Sequence, residues 1–147
     1  MAENGAEPAS IVIQRRIEWS DTDASGHYHN TAAFRMFEWA ETALLDALGI
    51  LDEVYGFLPR AHISADFKAA LDHRDLVDVE LKVLGIGRSS ISYGIEISRG
   101  DTLCVEARIV AVLVAPDGRP RDWADSHRKL FLTAGRRPGE RLAVDAD

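Results

Sequence analysis

The apolar pattern over residues 31–48 restricts the fold more than any other feature of the chain. Ala32, Ala33, Phe34, Met36, Phe37, Trp39, Ala40, Ala43, Leu44, Leu45, Ala47 and Leu48 cover most of the circumference of a helix. The polar residues Arg35, Glu38, Thr42 and Asp46 follow helical steps along a narrow stripe, with Glu41 beside it. Such a helix is expected to be buried on most of its sides. Asn30 stands where an N-cap belongs and Gly49 where a C-cap belongs.

Strand patterns surround this helix. Ile11, Ile13, Arg15, Ile17 and Trp19 alternate with more polar residues, a period of two that predicts a first strand. After a linker near Pro59, Arg60 to Lys68 gives a weak strand pattern. Val77 to Val83 and Ser90 to Ser98 alternate cleanly, and Leu103 to Val114 is rich in β-branched residues until Pro116-Asp117-Gly118 turns the chain. Asp122 to Phe131 suits a short terminal helix. Four consecutive strands without helices between them imply a mostly antiparallel sheet. One sheet curling around one apolar helix satisfies every pattern, although other α+β folds share this composition.

With 147 residues, the chain suits a single domain. Residues 1–10 are expected to form a disordered tail and residues 135–147 a frayed one, leaving 11–134 as the folded unit. The formal net charge of -7 argues against a nucleic-acid-binding surface. No apolar run has the length of a membrane span, and the polar amino terminus resembles neither a signal nor a transit peptide. Cys104 is the only cysteine, so no intrachain disulfide forms, and a cytoplasmic location is expected.

Chemistry concentrates between strand and helix. Glu18-Trp19-Ser20-Asp21-Thr22-Asp23-Ala24-Ser25-Gly26-His27-Tyr28-His29-Asn30 brings carboxylates, imidazoles and a glycine to the amino end of the helix. An acid there can act on a carbonyl whose oxygen meets helix-end N–H groups. Bland readings compete with this one. Asp21 to Gly26 mimics half of a calcium loop, but Ala32 stands where the bidentate Glu belongs. His27 and His29 with Asp21 or Asp23 suit zinc or iron only by spacing, and turn histidines commonly bond locally. There is no Gly-x-Ser-x-Gly elbow, and Cys104 reads as a packed strand residue. An Asp near Gly is by default a turn residue bonding its own backbone, so local features leave a turn role and a catalytic role both open.

Arg16 to His27, followed by Asn30 and by Phe34-Arg35-Met36-Phe37-Glu38, resembles the signature of the 4-hydroxybenzoyl-CoA thioesterase family. The pattern Asp-x-Asp-x-x-Gly-His matches without gaps, and looser similarity continues to about residue 132 through Asp75-Leu76-Val77 and Arg88-Ser89-Ser90. The resemblance implies an α+β hot-dog fold, a curved antiparallel β-sheet wrapped around a long central α-helix. It implies an acyl-CoA thioesterase that hydrolyses an acyl thioester to a free acid and a thiol.

By the same resemblance, Asp23 takes the place of the catalytic aspartate, as nucleophile or as general base for water. His27, Asn30, Thr31 and Glu38 take substrate-binding positions, and Arg88, Ser89 and Ser90 lie where coenzyme A is held. No metal or redox cofactor is implied, since coenzyme A arrives as part of the substrate. Homodimers or homotetramers are implied, with residues near Arg60 to Lys68 of one subunit facing Asp23 of the other. The chain departs from the family at His29, Ala33 and Ala69-Ala70, which bears on acyl specificity. Rival readings are a hot-dog hydratase or dehydratase, a non-catalytic acyl-CoA binder, and a metal-dependent enzyme using His27 and His29.

Overall fold

A computed structural model of the chain describes residues 6–23 and 30–142. Strand β1 (Glu7–Arg16) leads through a 3₁₀ turn (Trp19–Asp21) to helix α1 (Asn30–Ala47) and the short α2 (Leu51–Val54). Strands β2 (Arg60–Phe67), β3 (Leu76–Ile86), β4 (Ser90–Arg99) and β5 (Thr102–Val112) follow, then α3 (Asp125–Thr133) and β6 (Ala134–Arg137). The six strands form one sheet in the order β2-β5-β4-β3-β1-β6. Every pairing is antiparallel except β1 with β6.

Period-two alternation sends one set of side chains inward. Ile11 and Ile13 of β1, Val77 to Val83 of β3, Ile91 to Ile97 of β4 and Ala107 to Ala111 of β5 contribute alternate buried residues to one core. Helix α1 lies against β1 and β3 and adds Ala33, Met36, Phe37, Ala40 and Leu44. Cys104 is fully buried, as a small packed strand residue should be.

Gly49 ends α1 as expected. Its φ of 76° lets Gly49 N–H reach the Asp46 carbonyl at 2.9 Å and Ile50 N–H reach the Leu45 carbonyl at 3.1 Å. This is a Schellman closure, with buried Ile50 supplying its apolar contact.

Four expectations need correction. Helix α1 is not buried on most sides, because Phe34, Trp39, Glu38 and Thr42 lie on an exposed stripe of this single chain. Trp19 leaves the strand alternation and is exposed, since Glu18 N–H bonds to Asp21 Oδ2 at 2.9 Å and turns the chain out of the sheet. The strand starts at Glu7, inside the stretch expected to be a tail. The carboxyl-terminal stretch is not simply frayed. Beyond Thr133 the chain adds β6 beside β1, and Gln14 N–H bonds to the Glu140 carbonyl at 2.9 Å.

Candidate functional site

The two aspartates of the sequence motif stand in different surroundings. Asp21 is buried at the end of the 3₁₀ turn. Its Oδ1 accepts from Arg35 Nη2 at 2.5 Å and its Oδ2 from Glu18 N–H. One carboxyl oxygen therefore closes the turn on itself and the other fastens it to the first part of α1. Thr22 adds a bond from its Oγ1 to the Trp19 carbonyl at 2.7 Å. Asp23 follows directly and is exposed. On the other side of residues 24–29, Asn30 and Thr31 open α1 and are exposed as well. His27 and His29 lie outside the described residues.

A cavity of about 580 Å³ lies between α1, α2 and the edge strand β2, with β5 behind it. Phe34, Phe37, Leu45, Val54, Leu58 and Ile109 make much of its wall apolar. Glu38, Glu41, Thr42 and Arg60 supply its polar part. A concave, mainly apolar space with a few convergent polar groups is the usual form of a small-molecule site. Glu38 thus borders the cavity, at the helix position where the sequence placed it. Among the described residues lining the cavity, Asp23, Asn30 and Thr31 do not appear.

The three coenzyme A candidates lie apart from this cavity, at the β3–β4 hairpin. Arg88 is 85 % exposed at its side chain, with Nε 3.2 Å from Asp122 Oδ1. The Ser89 carbonyl accepts from Leu113 N–H, and the Ser90 carbonyl accepts from Gly87 N–H and from Trp123 Nε1. The hairpin is held by these backbone carbonyls.

Sequence reading missed a polar cluster in the cavity wall. Glu41 is buried, and its Oε1 accepts from Arg60 Nη1 at 2.6 Å. Tyr93 of β4 is buried as well, and burial together with the Glu41 carboxylate raises its pKa well above the ordinary phenol value. Neither Tyr93 Oη nor Glu41 Oε2 has a well-formed hydrogen bond among the described residues. One signal was available in the sequence, a tyrosine among the inward isoleucines of β4, whose hydroxyl must find some polar neighbour once buried. Nothing local pairs Arg60 with Glu41.

Among the described residues, no group of three His, Cys, Asp or Glu is placed to hold a metal ion, and no helix is long and apolar enough to cross a membrane.

Fold and cavity together define a small α+β protein with a mainly apolar cavity beside its helix. The chain belongs to the thioesterase-like superfamily, whose family model matches residues 17–133. As a member of that superfamily it is a thioester hydrolase. No curated protein matches the chain.

Among solved structures, it is similar to a 1,4-dihydroxy-2-naphthoyl-CoA thioesterase from Synechocystis, with 22% identity and a TM-score of 0.73 over 83% of this chain and 95% of that one. It is also similar to a thioesterase from Thermus thermophilus complexed with coenzyme A and Zn, with 22% identity and a TM-score of 0.74 over 82% and 90% of the two chains. A predicted thioesterase from Bacillus stearothermophilus shares 21% identity and a TM-score of 0.75 over 84% and 96%. At such identities the likeness speaks for the fold, a mostly antiparallel sheet with a few helices of the hot-dog type.

Proposed function

We propose that this protein hydrolyses an acyl-CoA thioester to the free acid and coenzyme A, with Asp23 as the acid that does the chemistry. The observation that carries the reading is the division of labour between the motif's two aspartates. Asp21 is buried, with one oxygen bound within the turn and the other by Arg35 of α1, whereas Asp23, two residues on, is exposed. Asp23 attacks the thioester carbonyl or activates the water that does so. Negative charge developing on the carbonyl oxygen is stabilised by the helix end around Asn30 and Thr31. The C–S bond then breaks and the thiolate leaves, taking a proton from solvent, as coenzyme A; on the route of direct attack, water then hydrolyses the acyl–Asp23 anhydride to the free acid and regenerates the carboxylate. His27, Asn30, Thr31 and Glu38 position the substrate, and the exposed guanidinium of Arg88, with Ser89 and Ser90, meets coenzyme A.

In this reading the sheet curves around α1 in one hot-dog domain, and a second copy completes the site. Strand β2 is a sheet edge, bonded on one side by β5, and much of it is exposed. Exposed edges invite pairing with another chain. Pairing of two copies through β2 brings Asp23 of one subunit toward the cavity beside Arg60 of the other, in a homodimer or a tetramer of such dimers. A cavity whose described lining lacks the proposed acid is consistent with such a shared site.

The test is a hydrolysis screen over aliphatic and aromatic acyl-CoA thioesters and acyl-carrier thioesters, followed by release of the free thiol, with Asp23→Asn as the blank. Turnover of at least one substrate that vanishes in the blank supports the reading. Binding without turnover across the panel supports a non-catalytic binder instead, and hydration of an enoyl-CoA supports a hydratase.

A further inference from the structure

The cavity holds an arrangement that thioester cleavage at Asp23 does not use. Glu41 sits in its wall with Oε1 on Arg60 Nη1, while Oε2 is sealed from solvent without a well-formed hydrogen bond among the described residues. Behind it, the Tyr93 hydroxyl is sealed in the same way and faces the same carboxylate closely enough to feel its charge. A buried ion pair is a weak source of stability, because desolvation offsets most of the attraction. Its consequence is better sought in what it presents to the cavity.

What it presents is Arg60. A guanidinium has five N–H donors in a fixed planar fork, and Glu41 Oε1 takes one of them. Among the described residues Glu41 is the one acceptor bonded to the Arg60 side chain, which is 23 % exposed and lines the cavity, so its remaining donors are available to a group bound there. Glu41, itself held among apolar neighbours, fixes the direction of that fork. Among the described residues, the charges on the cavity wall are two carboxylates, Glu38 and Glu41, against one guanidinium. An anionic acyl end would meet net repulsion there. A plain alkyl end would cover the guanidinium without giving its donors an acceptor. A neutral oxygen satisfies the fork without adding charge.

We propose that Arg60, aimed by Glu41, is a specificity-determining residue that donates a hydrogen bond to a neutral oxygen, a hydroxyl or keto group, on the acyl part of the substrate. This rests on the reading above, in which the cavity receives the acyl group. It adds the group recognised and the residue that recognises it.

Matched pairs test it: benzoyl-CoA against its ring-hydroxylated derivatives, and hexanoyl-CoA against its hydroxy and keto derivatives. The wild-type protein is expected to favour the best oxygenated member of at least one pair by about tenfold or more in kcat/KM. Because Arg60→Met leaves a buried carboxylate unpaired, the decisive variant is Arg60→Met with Glu41→Gln, checked for folding by its melting transition. That variant is expected to bring the ratio to within about threefold of one, and Arg60→Lys to recover only part of it.

The same pairs as non-hydrolysable thioethers, measured by calorimetry, separate two failures. Arg60-dependent discrimination in binding without hydrolysis would leave the proposal standing and remove the catalytic reading. Hydrolysis with equal rates for both members of each pair, or with a preference that survives in the double variant, would overturn the proposal and leave the thioesterase. A protein that neither cleaves nor binds any member would refute both.

Discussion

Replacing Asp21 by asparagine takes one acceptor from a carboxyl group that uses both of its oxygens. In the native protein Oδ1 accepts from Arg35 and Oδ2 from the Glu18 N–H. An amide retains a single acceptor oxygen, so whichever bond it keeps, its NH₂ group faces another donor. At least one charge-assisted bond is lost, a class worth about 1.5–3 kcal/mol. Arg35 is 48 % exposed at its side chain, which places its share toward the lower end through solvent screening. We expect a loss of about 2 kcal/mol, and for a chain of this length a melting temperature lower by about 6 °C. The assay combines a thermal melt with acyl-CoA turnover measured well below the transition. Asp21→Asn should lower the melt while retaining more turnover than Asp23→Asn. An unchanged melt together with a larger loss of turnover than in Asp23→Asn would exchange the roles assigned to the two acids.

Three other consequences follow from the packing. With its pKa raised, Tyr93 keeps its proton in the folded state at pH values where an unfolded tyrosine has lost it. Stability should therefore be fully present below about pH 10 and fall as pH rises beyond it, a slope that urea titrations should show weakened in Tyr93→Phe. Gly139 passes so close to β1 that a Cβ would stand 1.9 Å from the Val12 carbonyl oxygen. Gly139→Ala should displace the terminal strap at a cost of about 1–3 kcal/mol, and an unchanged urea midpoint would contradict that close approach. Phe131 is fully buried and packs edge-on to Trp123 at 5.1 Å. Phe131→Ala should cost about 3–5 kcal/mol, and equilibrium unfolding that shows less than about 1 kcal/mol would mean that α3 is dispensable to the core.

Legibility in the sequence followed the locality of the cause. Strands β3 and β4 were readable because their inward residues alternate, β5 because it is rich in β-branched residues, and the end of α1 because Gly49 is the residue that a left-handed closure favours. Strand β6 was not readable: Ala134-Gly135-Arg136-Arg137 has no apolar alternation, and it is held through backbone pairing to β1, more than a hundred residues earlier. The burial of α1 was overestimated because apolar composition does not say how much neighbouring structure one chain supplies. Within the site, the motif singled out the pair of aspartates, and the burial of Asp21 against the exposure of Asp23 separated them. Glu41 and Arg60 are brought together only by tertiary folding, as β2 returns along the sheet edge beside α1, and no spacing in the sequence encodes that meeting.

The most direct measurement is kcat/KM for Asp23→Asn on the best acyl-CoA found in the screen, with oligomeric state and melting temperature recorded on the same sample. With assembly and melting unchanged, the value is predicted to fall by at least about 10²-fold, the lower end for loss of a general base. A folded variant that stays within about tenfold of wild type would remove Asp23 from the chemistry.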